Sequence, residues 1–232
     1  MNNYSHLTRQ LSLIPVEELK KHTIHVVGAG AIGSFTALAL AKMGIEKLCV
    51  WDFDEVGVEN VSCQIYGRRQ LGQPKVQALA EIVGFLSETQ VMPMHMRLTK
   101  QEVPTLEGIV VLAVDTMKAR KEIAQAISEV GVRVRLVVDP RMGAEKYNQY
   151  TYVPHTKQFK EYLEHFMYDD KVVAEPSCTA KATVYTATLA AGMICKTVKN
   201  YIMKQPYPKT VMWDIASTCE GSLALFPEVM HD

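Results

Sequence analysis

The chain has 232 residues, and its 25 Lys plus Arg balance 25 Asp plus Glu, so the formal net charge is zero. That length fits one large domain, and 48% apolar residues suffice to fill its core. A neutral surface argues against nucleic-acid or membrane-surface binding, which call for a basic stripe; no apolar run reaches the roughly 18 residues of a membrane span.

Residues 1–22 read as an N-terminal helical segment, and its opening, MNNYSHLTRQ, lacks the apolar stretch of a secretion signal. Residues 23–27, TIHVV, are apolar and β-branched and predict a strand. GAGAIGS follows at 28–34, then helix formers over 35–43 that stop at Gly44. Residues 47–51 predict a second strand, completing a β-turn-α-β unit of the kind that builds parallel sheets. Apolar positions 76, 79, 82, 83 and 86 recur at helical spacing and predict a helix over 75–86. Residues 91–96 predict a strand. The continuous run 109–114 suits a strand buried on both faces. A helix over 118–130 and a strand over 132–138 continue the alternation. The fold class is therefore α/β, a Rossmann-like doubly wound, mostly parallel sheet.

The second half changes character. Residues 147–153 predict an antiparallel strand, and 155–177 a polar loop or lid with one short helix. Residues 183–201 predict a long apolar helix, and 210–214 with 222–226 a final strand pair. No linker separates the halves, so the expectation is one domain over 1–232: the nucleotide-binding half at 23–140, an antiparallel, substrate- and dimer-facing half at 141–232.

Gly28, Gly30 and Gly33 form G-x-G-x-x-G between a strand and a helix. The first glycine permits the tight turn, the second the approach of a phosphate, the third close helix–strand packing. The helix N-terminus then offers free N–H groups and a partial positive charge to that phosphate. Asp52 ends the second strand 24 residues after Gly28, a spacing that suits a carboxylate accepting ribose hydroxyls. Neither feature separates NAD from ATP. Asp54 reads as a turn or cap residue.

The block DFDEVGVENVSCQIYGRRQLGQPKV resembles the ThiF/MoeB/HesA family, relatives of ubiquitin-activating enzymes. The family's order is a glycine loop, D-x-D, an Asn, an Arg-Gln pair and G-x-x-K. Here these positions hold Gly28/Gly30/Gly33, Asp52/Asp54, Asn60, Gln64 and Gly72/Lys75, and VLAVDTMKAR adds Asp115 and Arg120. The likeness covers residues 20–140 well and the remainder thinly. It implies adenylation of the C-terminal carboxylate of a small ubiquitin-like or sulfur-carrier protein, with ATP and Mg²⁺, by a homodimer. It further implies that Lys75 neutralises the triphosphate, that Asp115 holds the metal, and that Asn60 bonds a phosphate or the attacking carboxylate. Arg120 is expected to be structural.

One departure stands out. Where the family carries Arg before the Gln, this chain has Cys63, and a thiol cannot replace a guanidinium. Arg68, Arg69 and Arg9 are the candidate substitutes. Arg9 lies in a segment like the one from which the family's dimers offer an Arg across the subunit boundary. The likeness also marks Cys178, before the long apolar helix, as a thiol that could take the acyl group or form a persulfide, with Lys181 a turn away. Cys49 and Cys195 read as core residues, and Cys219 has no assignable role. The cysteine count is odd and no CxxC occurs, so disulfides and zinc are not expected, and a reducing cytoplasm fits. His25, His95, His155 and His165 show no metal spacing. Arg141 reads as a salt-bridged arginine and Gly143 as a turn glycine. Two alternatives stand beside adenylation: a non-catalytic nucleotide-binding scaffold, which Cys63 favours, and an NAD-dependent oxidoreductase, which leaves Asn60 and Lys75 without a role.

Overall fold

The computed structural model describes residues 7–14, 16–129, 133–167 and 182–216. Its strands are β1 (Thr23–Val27), β2 (Lys47–Asp52), β3 (Val91–His95), β4 (Glu107–Leu112), β5 (Arg133–Gly143), β6 (Lys146–Tyr152) and β7 (Thr210–Asp214). Its helices are α1 (Val16–Leu19), α2 (Ala31–Lys42), α3 (Lys75–Leu86), α4 (Met117–Glu129), α5 (Lys157–His165) and α6 (Val184–Ile202). The strands form one sheet in the order β3-β2-β1-β4-β5-β6-β7. From β3 to β5 every pair is parallel, and β5-β6-β7 are antiparallel. The mostly parallel sheet with an antiparallel extension is the architecture the alternating pattern implied.

The apolar strand interiors face both ways because helices cover both faces. On one side Ile24, Val26, Leu48, Val50, Ile109 and Val111 join the cores of α2, α3 and α6. On the other, Val27, Trp51, Val110, Leu112 and Val137 pack with α4 and α5. Gly44, at φ +96°, ends α2 in the left-handed conformation.

Element boundaries differ from expectation in two places that matter. Helix α2 begins at Ala31 rather than 35, so Gly33 lies in its first turn. Strand β5 runs on through Asp139, Pro140 and Arg141 because β6 pairs with it as far as Gly143. The expected strand at 222–226 lies outside the described residues, and β7 pairs with β6 instead. Among the described residues no helix is long and apolar enough to cross a membrane.

Candidate functional site

Strand order reverses direction between β1 and β4, and the crevice beyond such a switch point is where open α/β sheets bind ligands. The glycine turn leaves β1 there, and the loop carrying Asp115 leaves β4 beside it. The two are in contact. A Cβ on Gly28 would strike the Ala113 carbonyl, and Gly28 has φ +97°, so only glycine fits. A Cβ on Gly33 would likewise strike the Gly28 carbonyl, which is how α2 comes to start so close to the strand. Gly30 differs: nothing lies within 4 Å of its missing Cβ, which leaves open space against the backbone. No side chain caps α2. Its first N–H groups are therefore left for an anion.

Asp52 is wired to this turn. Its Oδ2 accepts from the Ala29 N–H at 2.6 Å, and its Oδ1 from the Asp54 N–H at 2.8 Å. Each carboxylate oxygen keeps a lone pair for a sugar hydroxyl. Asp54 then grips Lys75 at two points. The Lys75 N–H donates to the Asp54 carbonyl at 2.9 Å, and Lys75 Nζ meets Asp54 Oδ2 at 3.0 Å. Lys75, the first residue of α3, is only 7% exposed. An ammonium so buried needs a counter-ion, and Asp54 supplies it. Asp54 is thus more than a turn residue.

Tyr66, which the motif reading passed over, closes the turn from behind. It is buried and its hydroxyl donates to the Ala29 carbonyl at 2.7 Å. Burial and the nearby Asp52 carboxylate push its phenol well above the usual value, so it remains a donor. Beside it the Ile65 N–H donates to Ser34 Oγ at 3.3 Å, docking the 60–66 loop on α2. Asn60 is buried in that loop, its Oδ1 accepting from the Gly57 N–H at 2.9 Å. The Oε1 of Gln64 is buried without a partner.

Asp115 is exposed just past β4, and the backbone leading to it is held by Arg120. That buried guanidinium bonds the Leu112 carbonyl at 2.6 Å and the Val114 carbonyl at 2.5 Å. It also pairs with the fully buried Asp139, which is shared with Arg141 at 2.7 Å and with the Tyr162 hydroxyl at 2.6 Å. Arg141 is therefore buried in an ion pair, with its Nη1 donating to the Phe166 carbonyl. Arg120 and Arg141 both serve the framework under the site. Among the described residues no group of three or more His, Cys, Asp and Glu could hold a metal ion.

The ThiF family pattern matches residues 5–220. The chain belongs to the ThiF family. Among curated relatives, the tRNA threonylcarbamoyladenosine dehydratase of Bacillus subtilis (strain 168) is 36% identical over 88 residues, covering 37% of this chain and 35% of that protein. The ubiquitin-like modifier-activating enzyme 5 of Drosophila willistoni is 37% identical over 71 residues, or 31% of this chain and 18% of that one. The matched stretch thus spans about a third or less of these relatives. Solved structures share the ThiF fold at low identity. PaaA gives a TM-score of 0.72 at 16% identity, covering 92% of this chain and 71% of its own. MccB of E. coli, solved with AMPCPP and MccA, gives 0.68 at 15%, with 94% and 74% covered. TcdA of E. coli gives 0.64 at 17%, with 87% and 95% covered.

The remaining expected residues of the ThiF site scatter. Cys63 is half-buried, its thiol facing the Glu59 carbonyl at 3.7 Å. Arg68 and Arg69 are exposed on the turn before α3. Arg9 is exposed in a segment tied to the far end of α2, where Gln10 Nε2 donates to the Lys42 carbonyl at 3.2 Å. Helix α2 has 12 residues, so this anchor is about 18 Å from the glycine turn. Cys178, Lys181 and Cys219 lie outside the described residues. Cys49 and Cys195 are buried, and burial pushes the Cys195 thiol up to about 12.

Proposed function

We propose that this ThiF-family chain adenylates the C-terminal carboxylate of a small ubiquitin-like or sulfur-carrier protein, using ATP and Mg²⁺. The observation that carries this reading is the continuous hydrogen-bonded path from the glycine turn through Asp52 and Asp54 to buried Lys75. It gathers a phosphate cradle, a ribose acceptor and a cation at one sheet edge. An oxidoreductase using NAD has no need of the last.

A carboxylate is a poor acyl donor because oxide is its leaving group. Attack of its oxygen on the α-phosphorus of ATP forms a mixed anhydride with AMP, and the bond to pyrophosphate breaks. Two anions must meet, so charge must be neutralised first. The residues present fit this task. The open space at Gly30 and the uncapped start of α2 accept phosphate oxygens. Lys75, with one of its three protons on Asp54, keeps two for the phosphates. Asp115 is exposed, and one carboxylate plus phosphate oxygens is the usual company of Mg²⁺. The metal there would act as a Lewis acid on the triphosphate. Asn60, its Oδ1 occupied by Gly57, has its amide N–H donors left for a substrate oxygen. Arg9 is too remote to serve its own site, so in this reading it serves the site of a second copy in a homodimer.

ATP–pyrophosphate exchange with Mg²⁺ and a carrier ending in a free Gly-Gly tail is the test. The wild-type chain should exchange, Asp115→Ala should abolish it, and Lys75→Ala should lower it about a hundredfold or more. Exchange at the wild-type rate in Asp115→Ala would remove the metal assignment. Cys63 supports a second reading, a non-catalytic nucleotide-binding subunit, because no guanidinium stands at that position. Tight ATP binding without exchange, across many carriers, would favour it.

A further inference from the structure

Sulfur collects on one face of the sheet at its outer edge, and neither the nucleotide site nor the framework under it uses it. In the edge strand β3, Met92 and Met94 alternate with Pro93 and His95, so both thioethers leave the same face. Strand β2 brings Cys49 to that face, opposite Met92 in the parallel register. The Cys49 thiol donates to Met92 Sδ at 3.9 Å. Cys49 is 9% exposed and Met92 58%, so the thiol is sheltered while the thioether beside it opens to solvent. Met94 is partly buried and lies opposite Trp51. It is two residues along from Met92, about 7 Å away, a gap that an unbranched side chain with three rotatable bonds spans.

The spacing of these sulfurs suits a metal ion. Metal–sulfur bonds are about 2.3 Å long, so two of them at the trigonal angle set their sulfurs about 4.0 Å apart. Cys49 and Met92 stand at 3.9 Å. We propose that Cys49, Met92 and Met94 form a trigonal site for a soft monovalent cation, Cu(I). Other metals have no cluster of His, Cys, Asp and Glu to bind among the described residues, whereas a soft ion needs only sulfur. Charge points the same way. Binding replaces the thiol proton: the S–H bond of Cys49 breaks, a sulfur–copper bond forms, the proton leaves to solvent, and no electron is transferred. One thiolate neutralises one Cu(I), so the bound unit carries no net charge into a sheltered place. Zn²⁺ would keep a positive charge there and would lack the imidazoles or further thiolates it requires. His25, opposite Cys49 on β1, cannot supply one, because its ring nitrogens are engaged by the Trp51 indole and the Glu107 N–H. The site is independent of the nucleotide reading.

Anaerobic titration of the whole chain with Cu(I), in competition with a chromophoric chelator, tests this, and tryptophan emission reports where the ion sits, since Trp51 lies beside Met94. Cu(I) should bind the wild-type chain and quench that emission, and Zn²⁺ should do neither at this site. Met92→Leu changes an exposed side chain to one of similar size, so the fold is kept and the loss of a ligand is read directly. It should weaken Cu(I) binding at least about tenfold, the lower figure for losing even a supporting group around a metal. Met94→Leu should do the same, and the double variant should lose the quenching. Cys63→Ser removes a thiol elsewhere and should change neither readout. The site is overturned if Cu(I) leaves the wild-type emission unquenched, or if affinity is unchanged in either methionine variant. It is overturned too if Cys63→Ser abolishes the quenching, or if Zn²⁺ displaces Cu(I) at equal concentration.

Discussion

Tyr66 carries a structural burden at the glycine turn that its sequence position does not advertise. Its hydroxyl is the partner of the Ala29 carbonyl, between the first two glycines. Tyr66→Phe leaves that oxygen unpaired in a buried place, which costs about 1–2 kcal/mol and loosens the glycine turn. Urea unfolding should show the lower midpoint, and ATP titration a weaker affinity; an unchanged affinity would confine Tyr66 to stability alone. The glycine turn was legible because its geometry depends on local spacing. Tyr66 was not, because its partner lies 37 residues away and a tyrosine after an apolar residue looks like ordinary core. Asp54 was half legible. Its place in a turn could be read, but its pairing with Lys75, 21 residues on, exists only once α3 is docked.

The elements under the site are joined by charge as well as by apolar packing. Asp139 on β5 receives Arg120 from α4, Arg141 from its own strand and Tyr162 from α5. Asp139→Asn would leave two buried guanidinium groups around a neutral amide. Removing one partner of a buried ion pair costs about 3–5 kcal/mol, so the midpoint of urea unfolding should fall accordingly. Arg120 also pins the backbone that leads to Asp115, so the variant should need more Mg²⁺ for half-maximal exchange. A variant as stable as the wild-type chain would show that the two arginines do not depend on this carboxylate. The same cluster explains where the sequence misled about strand length. Asp139, Pro140 and Arg141 read as the end of a strand, yet their charges are neutralised within the fold, and β5 continues through them. The start of α2 was misplaced for a related reason. Glycine is a poor helix former, but the close approach of Gly33 to the Gly28 carbonyl requires it in the first turn. Apolar runs, by contrast, placed the central parallel strands within a few residues, since burial on both faces leaves no other composition possible.

At the scale of the molecule, the centre of the sheet holds a titratable group. His25 on β1 is 5% exposed, and its Nδ1 accepts from the Trp51 indole N–H of β2 at 3.1 Å. Its Nε2 in turn faces the Glu107 N–H at 3.4 Å, so both ring nitrogens meet donors and a charged ring, with a proton on each nitrogen, would lose its bond to Trp51. Burial, opposed by the nearby Glu107 charge, lowers the His25 pKa from 6.5 to about 4. The unfolded chain therefore takes up a proton on this residue between those values while the folded chain does not. The resulting stabilisation is complete above pH 6.5 and is lost as pH falls to about 4, amounting to about 3 kcal/mol at the acid end. Urea unfolding at steps between pH 7 and pH 4 should show this fall in the wild-type chain. His25→Leu removes the proton uptake and should flatten the slope in that window, even if its stability at pH 7 is lower for want of the Trp51 partner. Equal slopes in the two proteins would mean that the imidazole is protonated within the folded sheet, and that the strands can part enough to hydrate it. The outcome also bears on the site: β1 and β2 carry the glycine turn and Asp52 at their ends, so a sheet centre that opens in mild acid would release nucleotide over the same range.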